Sequence, residues 1–225
     1  MTNLATTEQA LDTDLSENST FAIGESPATL SDIYKEGTNI AVWKRPVHSE
    51  LESAVDDFLA ANPNFEKSLV VTPDELAEEL IKVSNSTAPK PLVQDIELLV
   101  EMFSCLFELK KVGVRLTSLD VAMCPRFHVD HVPCRLVSTY HGVATEWLAH
   151  TDVDRTKLGH GSKGLSDAES GLFLSPDCVN QLTTGDVALL KGESWLGNSE
   201  GGLVHRSPSV PNGQNRLLLT LDFYD

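Results

Sequence analysis

The chain changes its hydrophobic period at Gly113. Before that residue apolar positions recur at helical spacing. After it they fall into short runs that alternate or are apolar throughout, separated by Gly, Pro, Asn and Asp. In "HSELESAVDDFLAAN", Ser49 stands at a cap position and Leu51, Val55, Phe58 and Leu59 share one helical face. In "TPDELAEELIKVSN", Thr72 and Glu75 form a capping box around Pro73, and Leu76, Leu80 and Val83 make the stripe. A third helix is predicted from about Leu92 to Lys111, closed by Gly113. "NIAVWKRP", Asn39 to Pro46, reads as a short strand closed by its proline. Downstream, "VRLTSLDVAM", "CRLVSTYHG", "TEWL", "GLFLS", "GDVALLKG", "GLVHRS" and "NRLLLTLDF" read as seven strands. Helices followed by many short strands predict an α+β protein, with N-terminal helices packed on a β sandwich or barrel.

Three parts are expected. They are an acidic disordered tail over residues 1–30, a helical part over 31–113 and a β core over 114–225. The longest stretch without an evident element, Ala149 to Ser170, is expected to be a substrate-contacting loop or lid. Six acids precede the first basic residue, Lys35, and the whole chain carries −16. That charge disfavours long nucleic acid and anionic membrane as partners, but leaves room for a local basic pocket holding a small anion. With no signal-like start and no apolar run near the roughly 18 residues of a spanning helix, a cytoplasmic place is expected.

The chemistry concentrates in "CPRFHVDHVPC", Cys124 to Cys134. In a strand, residues two apart point to the same face, so His128 and Asp130 project together while Val129 and His131 point away. His205, in "GLVHRSP", is the best third ligand. Two histidines and a carboxylate leave several coordination positions free, the arrangement used by non-haem Fe(II) oxygenases. Arg216 follows His205 by eleven residues at the head of an apolar strand, where a guanidinium suits a carboxylate. Arg126, Arg135 and Arg206 also lie close in sequence to the candidate ligands, as if arranged for an anionic small molecule.

His128-x-Asp130, "GDVALLKG", His205 and Arg216 entering a last strand together resemble the Fe(II)- and 2-oxoglutarate-dependent dioxygenase superfamily over residues 114 to 225. The resemblance implies a double-stranded β-helix (jelly-roll) core behind N-terminal helices. It implies Fe(II) on His128, Asp130 and His205, with Arg216 on the distal carboxylate of 2-oxoglutarate and Tyr140 as a second hydrogen bond to it. It also implies oxidative decarboxylation of 2-oxoglutarate coupled to hydroxylation or demethylation of a small molecule or protein side chain. The whole chain is similar, in addition, to an uncharacterised bacterial family carrying a domain-of-unknown-function label.

Two other readings stand beside this one. Cys124, His128, His131 and Cys134 are four good donors for tetrahedral zinc, which would make a non-enzymatic protein for metal storage, sensing or delivery. All four fall within eleven residues, and in an extended segment His128 and His131 have opposite parity. A cupin-like metalloenzyme working without 2-oxoglutarate is the third reading.

Overall fold

The computed structural model describes residues 21–224, apart from Ser86 and Ser199. The strands in chain order are β1 (Phe21–Gly24), β2 (Ile40–Trp43), β3 (Glu66–Val71), β4 (Lys111–Leu119), β5 (Cys134–His141), β6 (Glu146–Leu148), β7 (Val179–Gln181), β8 (Val187–Lys191), β9 (Val204–Arg206) and β10 (Arg216–Tyr224). Between them run α1 (Ser49–Ala61), α2 (Leu76–Val83) and α3 (Lys90–Phe107). Seven strands form one sheet in the order β1-β2-β8-β5-β10-β4-β3, and three form a second in the order β7-β6-β9. Only the β1–β2 pair is parallel.

Strand alternation sorts the side chains of the large sheet into two faces. One face carries Val112, Val114, Leu116, Leu136, Tyr140, Leu189, Leu217, Leu219 and Leu221 into a core shared with Val55 and Phe58 of α1, Leu76 and Leu80 of α2, and Ile96, Val100 and Phe103 of α3. The other carries Ile40, Val42, Val137, Ala188, Leu190 and Leu218 against Trp147 of β6 and against Leu182 and Leu203. The small sheet therefore packs on the large one, with helices on the far side. A third cluster, Phe127, Leu148, Leu172, Phe173 and Val204, lies on the outer side of the small sheet.

Several expectations change on contact with this architecture. The tail expected to reach residue 30 gives way to structure at Phe21, because β1 pairs with β2 and Pro27–Tyr34 forms a 3-10 segment that buries Leu30 and Ile33. Residues 1–20 lie outside the described residues. β2 and β3 come from the stretch expected to be mainly helical, and both join the large sheet, so no clean boundary at Gly113 divides helices from sheet. Ser49 is the first helical residue of α1 rather than its cap, which is His48. α3 stops at Phe107, with Glu108 in the left-handed conformation, and Gly113 lies inside β4. "GLFLS" forms no strand. Leu172 and Phe173 are buried beneath the long loop while Leu174 is fully exposed.

Candidate metal centre

His128 and His205 meet through an isolated antiparallel bridge, with each backbone N–H donating to the other's carbonyl at 3.0 Å. Residues paired this way present their side chains on one side, and their rings lie 4.6 Å apart. Asp130 follows on the same side. Its Oδ1 lies 3.7 Å from His128 Nε2, and its Oδ2 lies 3.5 Å from His205 Nε2. One donor atom from each of the three lies within 4.8 Å of the others, the single such group among the described residues.

Backbone carbonyls set the tautomers. His128 Nδ1 donates to the Arg126 carbonyl at 2.9 Å, and His205 Nδ1 donates to the Leu203 carbonyl at 3.1 Å. A carbonyl only accepts, so Nδ1 carries the proton in each ring and the Nε2 lone pairs face Asp130. Burial and the neighbouring His205 lower the pKa of His128, keeping its imidazole neutral to lower pH. Burial works to raise the Asp130 carboxyl. Its neighbours His205, Arg135 and His128 prevail and hold it at about 2. Two neutral imidazole nitrogens and a standing carboxylate, converging on one point, fit a divalent transition metal.

Arg216 opens β10 with 1% of its surface exposed. Nη1 donates to Ser207 Oγ at 2.8 Å, and Nη2 donates to Thr145 Oγ1 at 2.8 Å and Thr139 Oγ1 at 3.2 Å. Nε has no partner. Ser207 stands two residues beyond His205, one residue past the end of β9. Burial brings its pKa down to about 10, and no carboxylate among the described residues offsets this. The other three arginines singled out in the sequence are all neutralised. Arg126 pairs with Asp167, Arg135 with Asp130 and Asp222, and Arg206 with Glu146 and Asp167. Of the four, only Arg216 keeps its charge unmatched. Gly142, at φ +81°, lies against the Arg216 backbone, where a Cβ would meet Asn215 O and Arg216 Cα. Gly142→Ala is expected to lower stability by about 1–3 kcal/mol in urea unfolding.

Tyr140 takes no part in this pocket. It sits on the helix-facing side of β5, where its hydroxyl donates to Asp95 of α3 at 2.7 Å. Arg45 grips the same carboxylate at 2.6 and 2.8 Å. One residue earlier, Thr139 points the other way and meets Arg216. The four-residue zinc arrangement does not assemble either. His131 is exposed and pairs with Glu193 at 2.9 Å, while Cys124 is exposed. Cys134 is buried on the helix-facing side of β5, and burial raises its thiol pKa far from that of a ready thiolate. The long loop also differs from expectation. It folds as three short 3-10 turns, and Val153 and Leu158 join the cluster with Phe127 and Val129, the two residues flanking His128. Asp167 accepts from the Phe127 N–H at 3.0 Å, so the loop braces His128 from behind.

A family model described as a protein of unknown function (DUF1826) matches residues 24–222. The chain belongs to that family. Among solved structures, this DUF1826 protein is similar to a dioxygenase for auxin oxidation from Arabidopsis thaliana, determined with 2-oxoglutarate. The TM-score is 0.50 at 9% identity, over 90% of this chain and 91% of that one. The likeness is one of fold. More distant are a Pseudomonas putida prolyl-4-hydroxylase (TM-score 0.44, 11% identity, 87% and 96% covered) and HygX from Streptomyces hygroscopicus with nickel and 2-oxoglutarate bound (TM-score 0.43, 12% identity, 88% and 86% covered). No curated protein matches the chain in sequence. No helix among the described residues is long and apolar enough to cross a membrane.

Proposed function

We propose that this protein is a non-haem Fe(II)- and 2-oxoglutarate-dependent oxygenase that hydroxylates or demethylates a small molecule or protein side chain. The observation that carries the reading is Arg216. A guanidinium buried without a counter-ion is unfavourable unless an anion completes the site, and this one adjoins a group of two histidines and an aspartate. 2-Oxoglutarate offers a chelating keto-acid end for the metal and a second carboxylate for the arginine. On this reading the two facing sheets are a double-stranded β-helix with the site between them, and the likeness in fold to a dioxygenase determined with 2-oxoglutarate supports it.

His128, Asp130 and His205 would hold Fe(II) on one side. With 2-oxoglutarate and O₂, that metal supplies an oxidant able to take hydrogen from a substrate C–H bond. The protein's own part is placement. Nδ1–H bonds to backbone carbonyls fix the two imidazoles, and Thr139, Thr145 and Ser207 hold the guanidinium in place, leaving Nε–H and one Nη1–H for an anion.

Anaerobic titration of metal-free protein with Fe(II) and 2-oxoglutarate tests this. The expected result is the visible charge-transfer band of the chelate. It should weaken in Arg216→Ala and persist in the Cys124→Ser/Cys134→Ser double variant. Absence of the band, with zinc retained until the cysteines are removed, would overturn the oxygenase reading.

A further inference from the structure

Arg135 of β5 and Asp222 of β10 face each other across the antiparallel ladder. The Arg135 Nε donates to Asp222 Oδ1 at 2.7 Å and Nη2 donates to Asp222 Oδ2 at 2.9 Å, a two-pronged pair that fixes the guanidinium plane. Its remaining arm, Nη1, donates to Asp130 Oδ2 at 2.7 Å. A cross-strand pair needs only the first two bonds to satisfy its charges. The third reaches outside the sheet, to a segment joined to the fold by the His128–His205 bridge and by the Glu193 N–H on the Asp130 carbonyl. Arg135 is thus a rigid link from the seven-stranded sheet to the carboxylate of the candidate metal centre.

We propose that Arg135, held in plane by Asp222, is a positioning residue that sets how Asp130 binds the metal. The inference rests on the reading of His128, Asp130 and His205 as metal ligands. By occupying Oδ2, the guanidinium reserves Oδ1, the oxygen on the His128 side, for the ion. The carboxylate would then hold a metal through one oxygen only. The charges support the assignment, because Arg135 and Asp222 cancel and leave the single negative charge of Asp130 to attract a dication. A lysine could not replace the arginine, since one ammonium cannot hold Asp222 with two parallel bonds and reach Asp130 with a third.

Equilibrium Co(II) binding to the full chain, with visible spectra and thermal melts of each variant, tests the proposal. Wild type is expected to bind Co(II), and Asp130→Ala to lose it. Arg135→Met should lose about 10–100-fold in affinity, the usual scale for an outer partner of a ligand. Its Co(II) bands should also shift, because the released Oδ2 joins the metal. Asp222→Asn should fall between the two, and Arg135→Lys should recover only part of the loss. A folded Arg135→Met protein with wild-type affinity and spectrum overturns the proposal even if it melts earlier, since a merely structural pair would do that. If Arg135→Met does not fold, wild-type affinity and spectrum in Asp222→Asn overturn it instead. Failure of wild type to bind Co(II) would remove the metal reading and the clamp together. Binding that depends on Asp130 but not on Arg135 would remove the clamp alone.

Discussion

Arg216→Met is expected to melt a few degrees higher than wild type in the absence of ligands, and to lose most of its response to 2-oxoglutarate. The stability half follows from burial. The guanidinium is 1% exposed and its pKa falls from 12.5 to about 10. For a base, a folded-state value below the unfolded one means that the charged form is less favoured in the folded chain. At neutral pH, where arginine is charged in both states, this works against folding by about 3 kcal/mol. Hydrogen bonds to three hydroxyls return part of it. Methionine has a similar reach and no charge, so a net gain of about 1–2 kcal/mol is expected, a few degrees in a chain of this size. The ligand half runs the other way. With Mn(II) and 2-oxoglutarate at a hundred times its wild-type dissociation constant, wild type should gain about 2.7 kcal/mol, and the variant much less. Thermal melts of both proteins, with and without ligands, decide the matter. If the ligand-free variant is less stable by a kilocalorie or more, or keeps the wild-type 2-oxoglutarate shift, the anion-pocket argument fails.

What could be read from the sequence depended on how far apart the relevant residues lie. The His128–Asp130 relation was legible because it needs only the two-residue period of a strand. His205 and Arg216 stood out by residue type within apolar runs, and the structure brings His205 to the pair and Arg216 just beyond it. The hydroxyls around Arg216 were not legible. Threonine and serine are common, and only the cross-strand register shows that Thr139, Thr145 and Ser207 converge. Tyr140 was picked out by residue type, and its strand parity turns it to the helices while Thr139, one residue earlier, faces Arg216. In the fold, α1, α2 and α3 were readable from their stripes, as were β4, β5, β6, β8, β9 and β10 from alternation. β3 was missed because "EKSLVV" opens polar and lies on the edge of the sheet, so only part of it is buried. β7 (Val-Asn-Gln) holds a single apolar residue, and β1 follows directly on the polar, acidic stretch read as a tail, so neither stood out. The 108–113 region misled for a physical reason. Glu108 supplies the left-handed turn usually left to glycine, which freed Gly113 for β4 beside Asp222.

Asp130→Asn should lower divalent metal affinity more than about a hundredfold at every pH, a larger loss than any outer partner causes. The amide keeps the size of the side chain and removes the negative charge that the site maintains down to about pH 2. In wild type the carboxylate is therefore no part of the acid sensitivity of metal binding in the ordinary range. His128 is, because a metal must displace any proton on Nε2. Its pKa lies below the ordinary 6.5, through burial first and the proximity of His205 second. At pH 6.5 and above it is mostly neutral, and its contribution to affinity should be flat there. Affinity should fall only as pH drops through that lowered value. Asp130 itself pulls His128 upward by its charge. Removing that charge should move the protonation of His128 to still lower pH, while the metal is bound far more weakly. Co(II) binding isotherms from pH 8 to 5, with the His128 ring titrated by NMR in the metal-free protein, measure both effects. A wild-type affinity already falling between pH 8 and 7 in step with His128, or a His128 pKa that rises in Asp130→Asn, would contradict this geometry of the three side chains.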